Sequence, residues 1–208
     1  PITGKTGSTV TLSGAIDKWH IGSAKFPTDI ELTGGDLFWR NARIDLQETS
    51  ARFGTSTVNR LSLGRQWGKI SLFEFEADSE DIQIAELYPW LVSFETLDKM
   101  FKGFNNTRGK LALTGVDFKG PVGSAKAWQF QLTGDIQGLA LESDYLKAPV
   151  HIDMAKFSAK DTPGESGVHG RIDLNEAQLS WEDSQMTLHG NAAFSADDLW
   201  LELELAAD

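Results

Sequence analysis

A leucine or valine followed two residues later by glycine recurs along this chain, and it limits the possible folds more than any other feature. It stands as Leu12-Ser13-Gly14-Ala15-Ile16, Leu113-Thr114-Gly115, Leu132-Thr133-Gly134-Asp135-Ile136, Val168-His169-Gly170-Arg171-Ile172 and Leu188-His189-Gly190, with a variant at Leu32-Thr33-Gly34. Around these motifs apolar and polar residues alternate with period two, the mark of half-buried strands. Trp128, Phe130, Leu132 and Ile136 alternate with Gln129, Gln131, Thr133 and Asp135, and Val150, Ile152 and Met154 alternate with His151 and Asp153. Successive strand side chains point to opposite faces, so each glycine falls in the apolar row. Glycine there suits a bulge, a bend or the close approach of another group.

Repeated from strand to strand, the motif predicts an all-β fold: a mainly antiparallel, strongly curved sheet or β-groove of repeated strand units. The expected groove lining is Leu12, Ile16, Leu113, Leu132, Ile136, Val168, Ile172 and Leu188. The expected bending points are Gly14, Gly115, Gly134, Gly170 and Gly190. The same rows also suit the core of a closed sandwich or barrel.

One stretch breaks the alternation. Ile84, Leu87, Leu91, Phe94, Leu97, Met100, Phe101 and Phe104 recur at helical spacing, which predicts a helical insert over residues 82–104 with Asp81 as its N-cap, either one helix kinked at Pro89 or two short helices parted near Ser93-Phe94-Glu95. Leu87, Trp90, Leu91 and Phe94 are its expected capping face over a sheet end. The insert separates a first β unit (1–81) from a second (105–208), and residues 9–39 overlay residues 129–159 as an internal repeat of strand units. A switch of apolar phase between Leu72 and Phe73 predicts a bulge there. The chain opens at Pro1 and closes on an alternating strand, so it is expected to be a fragment of a larger protein.

Composition narrows function mainly by exclusion. A formal charge of −11 opposes binding to nucleic acid. Without cysteine there is neither a disulfide, nor a thiolate metal site, nor a thiol nucleophile. His20, His151, His169 and His189 share no metal-ligand spacing, and no Gly-x-Ser-x-Gly elbow occurs. No metal site, no cofactor and no catalytic activity are expected. The seven tryptophans, Trp39, Trp67, Trp128, Trp181 and Trp200 among them, offer a sugar-stacking platform or ordinary core and edge packing.

The alternation Leu-x-Gly-x-Ile, the segment Phe26-Pro27-Thr28-Asp29-Ile30-Glu31-Leu32 and the run from Ala42 to Gly54 together resemble the AsmA and TamB-like family of Gram-negative envelope proteins. The stretch from Phe75 to Leu91 is similar to that family's strand followed by a short helix. The resemblance is a diffuse pattern over most of the chain, carried by no catalytic or ligand motif. It implies a repeating β-groove in the periplasm, a parent protein anchored in the inner membrane, and phospholipid carried in an apolar trough in the service of outer-membrane homeostasis. Its expected partners are phospholipid or another acyl-chain lipid, neighbouring repeats of the parent, and the membrane through an anchor outside this sequence. Two other functions fit the residues alone: a carbohydrate-binding sandwich using exposed tryptophans, and a structural spacer or assembly module.

Overall fold

The computed structural model describes residues 11–23, 26–93, 103–122, 127–143, 147–162, 170–182, 184–194 and 199–207. They form one open, curved, mainly antiparallel sheet of 13 strands with a single short helix. The strands are β1 (Thr11–Ala15), β2 (Lys18–Ile21), β3 (Ile30–Thr33), β4 (Asp36–Arg40), β5 (Arg43–Phe53), β6 (Ser56–Gln66) and β7 (Leu72–Gln83). After helix α1 (Ile84–Val92) come β8 (Phe104–Pro121), β9 (Gln129–Ser143), β10 (Val150–Asp161), β11 (Gly170–Trp181), β12 (Ser184–Phe194) and β13 (Leu199–Ala207).

From β4 onward each strand pairs with its successor in sequence. At the first edge, β1 pairs with β4 and β2 with β3, while β3 and β4 both lie against β5. These four short strands are therefore two long ones, broken at Ile16–Asp17 and at Gly34–Gly35. The ribbon is eleven strands wide, on the order of 50 Å along its hydrogen-bonding direction. It passes the helix without a break, because β7 pairs with β8 along most of its length.

Bulges set the curvature. One line of them crosses the sheet at Gly34–Gly35, Glu48 in β5, Arg60 in β6, the Asp78 region of β7 and Gly115 in β8. Gly34, Gly35, Glu48, Arg60 and Gly115 all have positive φ, and an extra residue in that conformation raises the local twist. Asp78 ties the line together: Arg60 donates to its Oδ2, and the Gly115 N–H donates to its Oδ1 at 2.8 Å. A second line runs through Gly109 in β8, Gly138 in β9, the Asp153 region of β10 and Asn175–Glu176 in β11.

These bulges correct several sequence expectations. Between Ile152 and Met154 the register shifts, so Met154 pairs with Gln137 and Gln178 instead of continuing the apolar row of Val150 and Ile152. Between Leu72 and Phe73 there is no bulge: β7 begins at Leu72, and Ile70 lies before it, 68% exposed. At both of its described ends the expected helical insert gives way to strand. Ile82 and Gln83 end β7 and Phe104 begins β8, so the apolar side chains of Ile82 and Phe104 belong to sheet rows that mimic a helical period. Gln83, not Asp81, holds the N-cap position, without a side-chain cap. Phe94 and the helical positions expected after it, up to residue 102, lie outside the described residues.

The main cluster of buried residues sits under the first half of the sheet, while Leu139, Ala155, Ala159 and Ala177 are buried farther along. Ile16, Leu32, Leu46, Ala51, Leu61, Ala77 and Val116 are buried together, with Leu37, Leu63, Phe75, Phe118 and Leu132 packed against them. β-branched and aromatic residues suit such a pleated, one-sided surface.

Candidate functional site

Residues directly paired across an antiparallel ladder share a face, so the register itself maps the apolar side. One row runs Leu37, Leu46, Leu63, Phe75, Phe118, Phe130 across β4 to β9. A second runs Ile82, Leu111, Ile136, Ala155, Ala177, Leu188 across β7 to β12. Between them lie Leu113, Gly134, Phe157, Leu174, Gly190 and, shorter, Leu132, Ala159, Ile172, Ala192. Together the rows make an unbroken apolar trough along the hydrogen-bonding direction.

The trough differs along its length. Under the first half Leu46, Leu61 and Ala77 are buried and Leu37, Leu63, Phe75 and Phe118 half-buried; in β9 to β12 the buried row residues are small, Ala155, Ala159 and Ala177, while the large ones, Leu132, Ile136, Phe157, Leu174 and Leu188, are half-buried and Ile172 is 37% exposed. Of the expected lining, Leu113, Leu132, Ile136, Ile172 and Leu188 stand in these rows. Ile16 is instead a buried core residue, 3% exposed. Leu12 pairs with Trp39 on the outermost strand and is 55% exposed. Val168 lies outside the described residues. Phe157 and Leu174 also line the rows, although neither belongs to a Leu-x-Gly motif.

The motif glycines do different things. Gly115 is the extra residue of a bulge at φ +60°, with open space where a Cβ would stand. Gly134 lies under the Phe157 ring, and a Cβ there would meet its Cζ at 2.3 Å. Here glycine admits an aromatic ring from the next strand. Gly14 has open space around it. Gly170 and Gly190 pair within the rows, opposite Phe194 and Leu174.

Two rims bound the trough. At one, α1 covers the hairpin where β5 turns into β6. Trp90 packs on Phe26 at 5.1 Å and Phe53 at 6.4 Å between ring centroids, and the Tyr88 hydroxyl donates to the Phe104 carbonyl at 2.7 Å. Leu87 and Leu91, like Trp90, are half-buried. Glu86 fastens the helix: its carboxylate accepts from the Thr55 N–H at 2.8 Å, the Thr55 hydroxyl at 3.0 Å, the Ser56 N–H at 2.9 Å and the Ser56 hydroxyl at 2.5 Å. Gly54 is required beside it, since a Cβ there would stand 2.3 Å from Glu86 Oε1.

The opposite rim is aromatic. Its row runs Leu12, Trp39, Ile44, Arg65, Phe73, Gly120, with the Trp128 ring lying over Gly120 and 5.9 Å from that of Phe73. Trp39 and Trp67 are 48% and 44% exposed there.

The outer face is polar. Arg43 bridges Asp45 at 2.7 Å and Glu74 at 2.5 Å, and Lys119 joins Glu74 at 2.6 Å. The network crosses Gly64, where a Cβ would stand 2.9 Å from Arg43 Nη2. Hydrogen bonds from Lys119 and then Arg43 hold the Glu74 carboxyl below the usual range. No group of three metal-ligating side chains occurs among the described residues, and none of their helices is long and apolar enough to cross a membrane.

Compared with known protein families, with curated proteins and with solved structures, the chain matches none.

Proposed function

We propose that this chain is a non-enzymatic envelope module that holds or conducts lipid acyl chains in its apolar trough. The observation that carries this reading is the stretch from β9 to β12, where apolar rows continue without interruption and their large side chains stay half-exposed, with no second layer over them among the described residues. An acyl chain supplies that layer. Each methylene taken from water contributes about 0.8 kcal/mol, so a dozen suffice for binding without specific polar contacts. The resemblance to the AsmA and TamB-like family suggests where such a module works: in the periplasm, within a parent protein anchored in the inner membrane, carrying phospholipid toward the outer membrane. Neighbouring repeats would extend the trough beyond either edge strand.

A carbohydrate-binding role draws on the exposed Trp19, Trp39, Trp67, Trp181 and Trp200, which offer ring faces to sugars. A spacer role needs no ligand at all. Mass spectrometry of organic extracts separates the three. The protein purified gently from bacterial cells is expected to carry phospholipid, and a folded Leu132→Glu/Ile172→Glu variant to lose it. Tryptophan quenching by oligosaccharides in a lipid-free protein would favour the sugar reading, and neither signal would leave the spacer.

A further inference from the structure

Arg65 is the one charged side chain in its rim row, set between Ile44 and Phe73 on the apolar face. A charge in such a place normally has a counter-charge, because desolvating an unpaired ion is costly. The other arginines of β5 and β6 obey that rule: Arg43 pairs with Asp45 and Glu74, Arg52 with Glu31, and Arg60 with Asp78. Arg65 has no ion pair or hydrogen bond among the described residues, and its Nε is buried without a partner. Its guanidinium lies 5.8 Å from the centroid of the Trp67 ring, a contact that orients the planar fork but leaves its donors free. The acids nearest in sequence and register, Asp45 and Glu74, are on the opposite face and already engaged.

From this we infer that Arg65 is the head-group site of the trough: it binds the phosphate of an amphiphile whose chain lies on the apolar rows. The inference rests on the acyl-chain reading above. A guanidinium donates two parallel hydrogen bonds to a phosphate, and the missing partner is an anion by chemistry. Position agrees as well. Arg65 stands at the rim opposite α1, which no described helix covers, with Trp39, Trp67 and Trp128 around it as amphipathic rings suited to a boundary between water and hydrocarbon. In a chain of net charge −11, long-range attraction cannot supply anion selectivity, so it must come from a local contact.

Binding of three probes to the delipidated 208-residue chain tests this: monoacylglycerol phosphate, the uncharged monoacylglycerol of the same chain length, and glycerol phosphate without a chain. The native protein is expected to prefer the phosphate-bearing amphiphile over the uncharged one by about tenfold or more, with the preference shrinking at high salt. Glycerol phosphate alone should bind far more weakly, which assigns the source of the phosphate to an amphiphile. Arg65→Gln should abolish the preference, and Arg65→Lys should restore part of it. Equal affinity for the two amphiphiles, or a preference that survives Arg65→Gln, overturns the head-group site and leaves the trough standing. Strong binding of glycerol phosphate makes Arg65 a site for free phosphate and overturns the amphiphile. Failure of both amphiphiles to bind overturns the acyl-chain reading and this inference with it.

Discussion

Leu61→Ala is expected to lower the unfolding free energy by about 3 kcal/mol, whereas Ile172→Ala, on the same apolar face, should cost about 1 kcal/mol. Leu61 is 5% exposed and packed among Leu46, Ala51 and Ala77, so truncation removes transfer energy and leaves a cavity that neighbouring strands cannot fill. Ile172 is 37% exposed, and water already reaches the space its side chain would vacate. Midpoints from urea denaturation of the lipid-free protein measure the difference. Equal losses would mean that the second half of the sheet is packed as tightly as the first, and the open trough would have to be abandoned.

The second large effect is expected at Glu86. Its Ala variant should lose about 2 kcal/mol, because charge-assisted hydrogen bonds to two N–H groups and two hydroxyls disappear together, and Ser56 is wholly buried. Burial pushes the Glu86 carboxyl up, but the hydrogen bonds from Ser56 and Thr55 outweigh it and hold the group below its ordinary range. The unfolded chain therefore binds a proton at higher pH than the folded one. The resulting stability is present above the ordinary carboxylate range near pH 4.5 and is lost as pH falls through the lowered folded value. Glu86→Gln should flatten the acid side of the stability profile, once the parallel contribution of Glu74 is subtracted with its own Gln variant. Hydrogen exchange should accelerate first in α1 and at Thr55 and Ser56. An unchanged acid limb in Glu86→Gln would show that the helix is held by its aromatic contacts alone.

Much of this architecture was legible in the chain because period two is a strong signal. The rows through Leu113, Leu132, Ile136, Ile172 and Leu188 follow directly from alternation, as does the polar face of Glu74 and Glu76. Bulges were only half legible. Gly115 marks one, but Glu48 and Arg60 carry theirs with ordinary residues at positive φ, and nothing in their identity announces it. The apparent helix from 82 to 104 was overextended because Ile82 and Phe104 belong to sheet rows whose spacing happens to match a helical repeat. Glu86 reads as a solvated helix residue until the hairpin at Thr55–Ser56 is placed beside it. Arg65 left a fainter trace: Leu61, Leu63 and Arg65 alternate in one phase, which puts a cation where an apolar residue belongs.

The central claim is that one face of the sheet, and not the other, holds acyl chains. Photocrosslinking in bacterial cells tests it most directly, with a benzophenone amino acid placed singly at Phe157 or Leu174 in the trough and at Lys156 or Asp173 on the outer face. Those positions are sequence neighbours that point to opposite sides. Lipid adducts at Phe157 and Leu174 and none at Lys156 and Asp173 are the predicted result. Adducts on both faces alike, or on neither, would contradict the account.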